Sequence, residues 1–145
     1  QSRSARIAAA QTFGREHPAD LYGLTVEQLQ PVAQVCQPRD MAAGHTLFTE
    51  GAPGDMLYIL RSGSVEVSHD NKVILTLQAP EVFGEVEVLN AAPRLATIRT
   101  REACQLLTIS RSDFIDLIED YPDFTRGLVE ILFQRLRDAL ARKRT

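Results

Sequence analysis

Three residues whose chemistry suits a phosphorylated sugar lie close together in the segment 83–98: Gly84, Glu85 and Arg94. Gly84 follows a predicted strand and permits a tight turn at which the backbone can approach a ligand closely. Residues 85–89 are expected to form a short helix whose free N–H groups favour an anion at its start. Arg94 is expected to return to the same place and to offer a planar fork that suits phosphate oxygens. The segment therefore predicts a site for a ligand that carries hydroxyls and a negative charge.

The elements that position these residues are predicted to be mainly β-strands. Short runs rich in Val, Ile, Leu and Tyr alternate with Gly, Asn-Lys and Pro between residues 43 and 109. The alternation in 65–68 and in 73–77 predicts strands with one buried face. Turn residues at 61–64 and 70–71 favour antiparallel pairing, and many short strands favour a closed or double-sheet β-structure. The predicted strands are His45–Phe48, Met56–Arg61, Ser64–His69, Lys72–Gln78, Leu95–Thr100 and Cys104–Ser110.

Helices are predicted on both sides of this β-region. A short helix is expected at 2–12, and the capping box Thr25–Gln28 opens an amphipathic helix to Val35 that Pro31 should bend or delay. After Ser110 the apolar spacing becomes helical again, with an interruption at 121–123. The predicted organisation is an N-terminal helical extension over 1–23 and one domain over 24–145. Within that domain, a β-roll is expected at about 43–110 and C-terminal helices at about 111–143.

Composition excludes several classes of function. The 145 residues fit one domain, and the net charge of −3 gives no general attraction to nucleic acid or to an anionic membrane. An uncharged apolar run of the ~18 residues that a membrane span needs is absent. Cys36 and Cys104 are expected to be reduced core thiols in a cytoplasmic protein, and the histidine spacing suggests no metal. Since no catalytic arrangement is recognisable, we expect a protein that is not an enzyme. The initial Gln suggests a fragment of a longer protein.

The segment 83–98 resembles the phosphate-binding cassette of cyclic-nucleotide-binding domains. That cassette occurs in protein kinase regulatory subunits, cyclic-nucleotide-gated channels and bacterial catabolite activators. Its pattern is Phe-Gly-Glu, a small apolar stretch, then Pro-Arg-small-Ala-Thr-aliphatic, and the chain matches this spacing without a gap. A second family motif covers 50–67, where glycines form turns of the β-roll. The resemblance runs from about Leu24 to Leu140 and implies a mainly β double-stranded β-helix (a jelly-roll-like β-roll) with N-terminal helices and two C-terminal helices.

The resemblance also implies roles for individual residues. Glu85 would accept a hydrogen bond from the ribose 2′-hydroxyl, Gly84 would let the backbone approach the sugar, and Arg94 would pair with the cyclic phosphate. An alternative stays open for each of three residues: Glu85 as a helix cap, Arg94 as a surface residue in a salt bridge and Phe83 as a core residue. Backbone N–H groups near the phosphate would come from Val86, Glu87 and Leu95. Side chains that border the base would come from Val73, Val82 and Phe83.

Two residues depart from the family pattern, which usually has small residues at both positions. Glu87 would place a carboxylate ~5–6 Å from the ligand's charge, at a cost of about 3 kcal/mol for an effective dielectric near 20. That corresponds to about a hundredfold in affinity, unless Glu87 turns into water or pairs with Arg99 or Arg101. Leu95 lacks the hydroxyl that members preferring guanine often place after the arginine. Cyclic AMP is therefore favoured over cyclic GMP.

The leading hypothesis is a sensor domain in which cyclic AMP repositions the closing helices 114–142 and signals to a covalently attached effector outside this chain. The main alternative is a domain of the same fold that has lost or weakened its ligand and serves in interaction or dimerisation. A third is the sensor half of a transcription factor.

The aliphatic stripe of the last helix is interpreted as core packing or a homodimer seam rather than a lid. The basic run 142–144 is interpreted as a solvated tail, so no contact with nucleic acid or membrane is expected from this chain.

Overall fold

The computed structural model describes residues 30–144. The predicted helix at 2–12, the extension 1–23 and the capping box at 25–28 lie outside the described residues. The first described helix, α1, is Gln30–Val35, and its buried face consists of Val32 and Ala33. The division of the chain into 1–23 and 24–145 therefore stays a prediction.

Eight strands and three further helices follow in the described chain. Most predicted strands are confirmed to within one residue, including Ser64–His69, Lys72–Gln78 and Cys104–Ser110. The strands are β1 Gln37–Met41, β2 Thr46–Phe48, β3 Met56–Ser62, β4 Ser64–His69, β5 Lys72–Gln78, β6 Glu81–Phe83, β7 Thr97–Thr100 and β8 Cys104–Ser110. The helices are α2 Glu85–Asn90, α3 Arg111–Asp120 and α4 Pro122–Arg144.

The strands form two four-stranded antiparallel sheets, in the orders β1-β8-β3-β6 and β2-β7-β4-β5. Each sheet mixes strands from both halves of the β-region, because β3 pairs with β8 and β4 pairs with β7. This arrangement confirms the predicted double-sheet β-roll. It also places the start of α2 directly after β6, at the edge of the first sheet.

The predicted β-roll boundary at residue 43 is wrong, because β1 starts at Gln37 and pairs in continuous register with β8. The segment 37–41 contains Pro38, Arg39 and Asp40, which are unfavourable in a central strand. An edge strand tolerates proline, since one side of its backbone has no partner. β1 lies at such an edge, so its composition hid a real strand.

Two further expectations for the strands are corrected. The strand predicted from Leu95 begins only at Thr97, because the preceding residues bind to a neighbouring loop. β5 was expected to bury one face, but Val73, Ile74 and Leu75 are all exposed. β5 is the edge of its sheet and pairs only with β4, so its apolar residues receive little cover. The strand expected before Gly84 is β6, which is three residues long.

Two hydrophobic clusters stabilise the structure. One lies between the two sheets and includes Tyr58, Val65, Phe83 and Leu106. The other connects the first sheet to the helices, and it contains residues of α1, α2, α3 and α4. Between the last two helices the rings of Phe114 and Phe124 pack edge to face at 5.7 Å. Among the described helices, no segment is long and apolar enough to cross a bilayer.

Candidate functional site

Gly84 makes the turn from β6 into α2. Its φ of +91° lies in the left-handed region that glycine adopts with little strain. Its carbonyl accepts hydrogen bonds from the Val88 amide at 3.3 Å and from Nη1 of Arg94 at 3.1 Å. A Cβ at this position would lie 2.8 Å from that same Nη1. Position 84 must therefore be glycine for the chain to turn and for Arg94 to pack against the turn.

The backbone of Arg94 is fixed by the loop between β2 and β3. The amide of Arg94 donates to the Ala52 carbonyl at 2.8 Å, and the amide of Gly51 donates to the Arg94 carbonyl at 2.8 Å. Pro53 and Pro93 form an isolated antiparallel bridge beside these bonds. The sequence prediction that Arg94 returns to the start of α2 is confirmed, and this loop is what brings it there.

The guanidinium of Arg94 faces inward and is almost entirely covered, with 1% of the side chain exposed. Nη1 donates to Gly84 O, and Nη2 donates to Met56 O. Nε is buried and has no hydrogen-bond partner within residues 30–144. The alternative that Arg94 is a surface residue in a salt bridge is wrong about the surface position, because the guanidinium is buried and Nε is a donor without a partner in this part of the chain.

An aromatic platform, defined here as Phe48, Tyr58 and Phe83, lies beneath Arg94. The guanidinium carbon is 4.1 Å from the Phe48 ring centroid, a cation–π distance. Tyr58 and Phe83 stack at 5.4 Å, and both are buried. Burial raises the pKa of Tyr58, although the charge of Arg94 opposes this shift. Phe83 lies in the core between the sheets, as the alternative interpretation of this residue expected. Its contact with a ligand stays a prediction.

The two carboxylates of α2 have different surroundings. Glu85 is buried at 1% exposure, whereas Glu87 forms a salt bridge in which its Oε1 lies 3.6 Å from Nη1 of Arg94. The suggested pairing of Glu87 with Arg99 or Arg101 is therefore wrong. Arg99 instead donates from Nε to the Gly44 carbonyl at 3.1 Å.

The other predicted contact residues differ in their exposure. Val86 and Leu95 are exposed, Leu95 at 73%, and Val73 is exposed on the edge strand β5. The Leu95 carbonyl lies 3.2 Å from Nδ1 of His69. Val82 is buried in the helix-facing cluster. Ligand contacts of Val73, Val86 and Leu95 stay predictions. The exposure of these side chains is compatible with such contacts.

The start of α2 is connected directly to the C-terminal helices. Arg111, the first residue of α3, donates from Nε to the Val88 carbonyl at 2.9 Å, and its amide donates to Asp55 O at 2.9 Å. Val88 is fully buried in the same cluster as Phe114 and Phe124. One hydrogen bond therefore links α2 to α3, and the side chain of Val88 lies in the same cluster as residues of α3 and α4.

Sequence reasoning missed several residues that build the site. Phe48 supports Arg94, Met56 contributes a backbone acceptor, and Arg111 links two helices. Gly54 was treated as a turn residue, but a Cβ there would lie 2.6 Å from Cβ of Glu87, so it packs against α2. The family motif over 50–67 contains Gly54 and Met56 and could have indicated them. No local signal marks Phe48 or Arg111.

Comparisons with known proteins agree with this geometry. The model of the family described as "Cyclic nucleotide-binding domain" matches residues 38–121. A relative from Mycobacterium tuberculosis, named CRP-like cAMP-activated global transcriptional regulator, is 33% identical over 136 residues, covering 90% of this chain and 57% of that protein. The chain thus spans little more than half the length of this relative.

Solved structures are similar over most of the chain. The Thermus thermophilus catabolite activator protein has a TM-score of 0.73 and 30% identity, covering 83% of this chain and 59% of that one. A chain described as "Sp-2Cl-cAMPS bound to PKAR CBD2" has a TM-score of 0.73 and 26% identity, covering 96% and 94%. Because the family match covers more than half of the residues and includes both the Gly84 turn and Arg94, the chain belongs to the cyclic nucleotide-binding domain family.

Proposed function

We propose that this chain is a sensor domain that binds cyclic AMP at the start of α2 and signals through α3 and α4 to an effector outside the chain. The observation that carries the proposal is the position of Arg94. Its buried guanidinium donates to Gly84 O at 3.1 Å, and Glu85, the residue that follows Gly84 in the chain, is also buried. A cation and a carboxylate at one turn suit a ligand with a phosphate and a ribose hydroxyl. The family is a regulatory one, so a non-catalytic role agrees with membership.

The names of two relatives support cyclic AMP as the ligand. The mycobacterial relative is named as cAMP-activated, and the PKAR chain is described as bound to a cAMP analogue. In this chain Leu95 follows Arg94, where a hydroxyl would favour guanine, so we infer a preference for cyclic AMP over cyclic GMP. Val73 is exposed on β5 and is proposed to border the base.

The signal is proposed to pass from α2 to α3. A ligand shifts a conformational equilibrium only when it binds one arrangement better than the other. Arg111 and Val88 tie α2 to the C-terminal helices, so a nucleotide that moves α2 changes the relative stability of their arrangements. We propose an effector outside this chain because the mycobacterial relative is longer, and the match covers only 57% of it.

Isothermal titration calorimetry with cyclic AMP and cyclic GMP tests the proposal. Arg94→Lys is preferable to alanine because it retains a cation in a buried position, yet loses the planar fork. We expect it to lower affinity for cyclic AMP by about tenfold or more. Arg99→Lys is the matched control, because Arg99 is exposed and donates to Gly44 away from the site. Absence of binding by the wild-type protein at millimolar nucleotide would refute the proposed function.

A second role in dimerisation is favoured by the surface of α4. Val129, Phe133, Leu136 and Leu140 are exposed at alternating spacings of four and three residues, the pattern of a coiled-coil seam. Such a seam is self-complementary, so the proposed partner is a second copy of this chain. Analytical ultracentrifugation should show a dimer that Leu136→Glu converts to monomer. A wild-type monomer at high concentration would refute it and would leave the seam to another segment of the parent protein.

A further inference from the structure

Glu87 forms a salt bridge with the buried guanidinium of Arg94. Its Oε1 lies 3.6 Å from Nη1, and its side chain is 14% exposed, compared with 1% for Arg94. The other donations from the guanidinium go to the carbonyls of Gly84 and Met56, which carry no net charge. The counter-charge of this buried cation in the described structure is therefore supplied by α2 itself.

The backbone around Glu87 holds the carboxylate in place. Gly54 packs so closely against α2 that a Cβ there would lie 2.6 Å from Cβ and 2.9 Å from the carbonyl carbon of Glu87. The Glu87 carbonyl accepts hydrogen bonds from the amides of Ala91 and Ala92 at the end of the helix. Because the main chain of Glu87 is packed on one side and hydrogen-bonded on the other, a change of its side-chain torsions is the smallest movement that takes the carboxylate away from Arg94.

We propose that Glu87 is an internal competitor of the ligand's phosphate, and thereby an affinity-determining residue of this domain. The inference rests on the proposed function for the identity of the ligand. In the ligand-free domain the carboxylate neutralises Arg94, and an arriving phosphate exchanges with it. A phosphate at Nη1 and the carboxylate of Glu87 repel each other, so binding of the phosphate there includes the displacement of Glu87.

A merely structural ion pair makes the opposite prediction. If Glu87 only positions Arg94 for the ligand, its neutralisation leaves affinity unchanged or lowers it. If Glu87 competes, neutralisation raises affinity, because the phosphate meets a guanidinium without a carboxylate. The ligand-free domain loses stability in both cases, so stability alone does not distinguish them, whereas the direction of the affinity change does.

The test compares wild type, Glu87→Gln and Glu119→Gln by calorimetry with cyclic AMP and, separately, with inorganic phosphate. Glu87→Gln keeps the size of the side chain and removes its charge, and Glu119→Gln makes the same change at an exposed position of α3. We expect Glu87→Gln to bind both probes on the order of tenfold to hundredfold more tightly, with the larger gain at low salt. Glu119→Gln is expected to match wild type.

The outcomes separate the inference from the proposed function. Equal affinity of wild type and Glu87→Gln for both probes, or weaker binding by the variant, overturns the inference, and measurable cyclic AMP binding would then leave the proposed function standing. If no protein binds cyclic AMP but Glu87→Gln gains affinity for phosphate, the proposed function fails and the inference holds. Should Glu87→Gln not fold, Glu87→Asp withdraws the carboxylate by one methylene and is expected to give a smaller increase in affinity.

Discussion

Replacing Gly84 by alanine perturbs the backbone turn and Arg94 at the same time. The φ of Gly84 is +91°, and an added Cβ would lie 2.8 Å from Nη1 of Arg94 and 3.2 Å from Met56 O. Gly51 offers a matched position, because its φ is +87° but an added Cβ would have no neighbour within 4 Å. Comparing the two alanine variants therefore separates backbone strain from displacement of the arginine.

The expected magnitudes follow from these contacts. Gly51→Ala should lower the free energy of unfolding by about 1–2 kcal/mol, the cost of a left-handed backbone for an L-residue. Gly84→Ala has the same strain and also forces the guanidinium of Arg94 away from a carbonyl acceptor. Loss of a hydrogen bond to a charged group costs about 1.5–3 kcal/mol. We therefore expect about 2.5–5 kcal/mol in total for Gly84→Ala.

Urea unfolding followed by circular dichroism is a suitable assay, because the chain contains no tryptophan for fluorescence. The free energies of Gly84→Ala and Gly51→Ala should differ by at least about 1.5 kcal/mol. If they agree within about 0.5 kcal/mol, which is the usual error when the effects of independent mutations are compared, then Arg94 moves aside without cost. That result would refute the argument that the Gly84 turn holds the arginine in place.

Three further predictions concern signalling, selectivity and pH. Arg111→Gln removes the hydrogen bond to the Val88 carbonyl. The ligand-induced change in the distance between spin labels on α2 and α4 should therefore shrink, whereas affinity for cyclic AMP should change by less than about threefold. An unchanged distance response contradicts the proposed coupling. Leu95→Thr adds a hydroxyl after Arg94 and should raise the ratio of cyclic GMP to cyclic AMP affinity by about fivefold or more in calorimetry; a constant ratio contradicts it. Burial raises the pKa of the Cys104 thiol above 9.0, so above that pH the unfolded chain loses a proton that the folded chain keeps, and stability falls as pH rises. Chemical unfolding between pH 8 and about 10.5 should therefore show a steeper loss for wild type than for Cys104→Ala, and parallel curves would contradict this.

The strand β4, whose buried face was predicted correctly, has a regular apolar pattern and a central position. Val65 and Val67 alternate with polar residues and are buried, as the pattern of Ser64–His69 indicates. Two of the failures, the missed strand β1 and the burial expected for β5, lie at sheet edges, where burial does not constrain composition. β1 contains a proline and charged residues, and β5 exposes apolar residues. Edge position depends on which strands pair across the fold, which local periodicity does not report.

The candidate site shows a similar division between motif and context. The turn at Gly84 and the return of Arg94 were predictable, because both residues belong to one contiguous motif. The partner of Glu87 was not, since side-chain direction on a six-residue helix depends on the contact with Gly54. Phe48 was missed for the same reason: its place under Arg94 arises only from the pairing of β2 with β7.

The hydrogen bonds that anchor Arg94 also determine when the site can exist during folding. Arg94 and Met56 are 38 positions apart in sequence, and the Glu50–Thr97 bond beside them spans 47. Such contacts close long loops, so they form only after much of the chain has collapsed, and a high proportion of them slows folding. A ligand that needs the completed site stabilises interactions absent from the transition state. Cyclic nucleotide is therefore expected to act as a kinetic stabiliser, prolonging the lifetime of the folded domain without accelerating its formation.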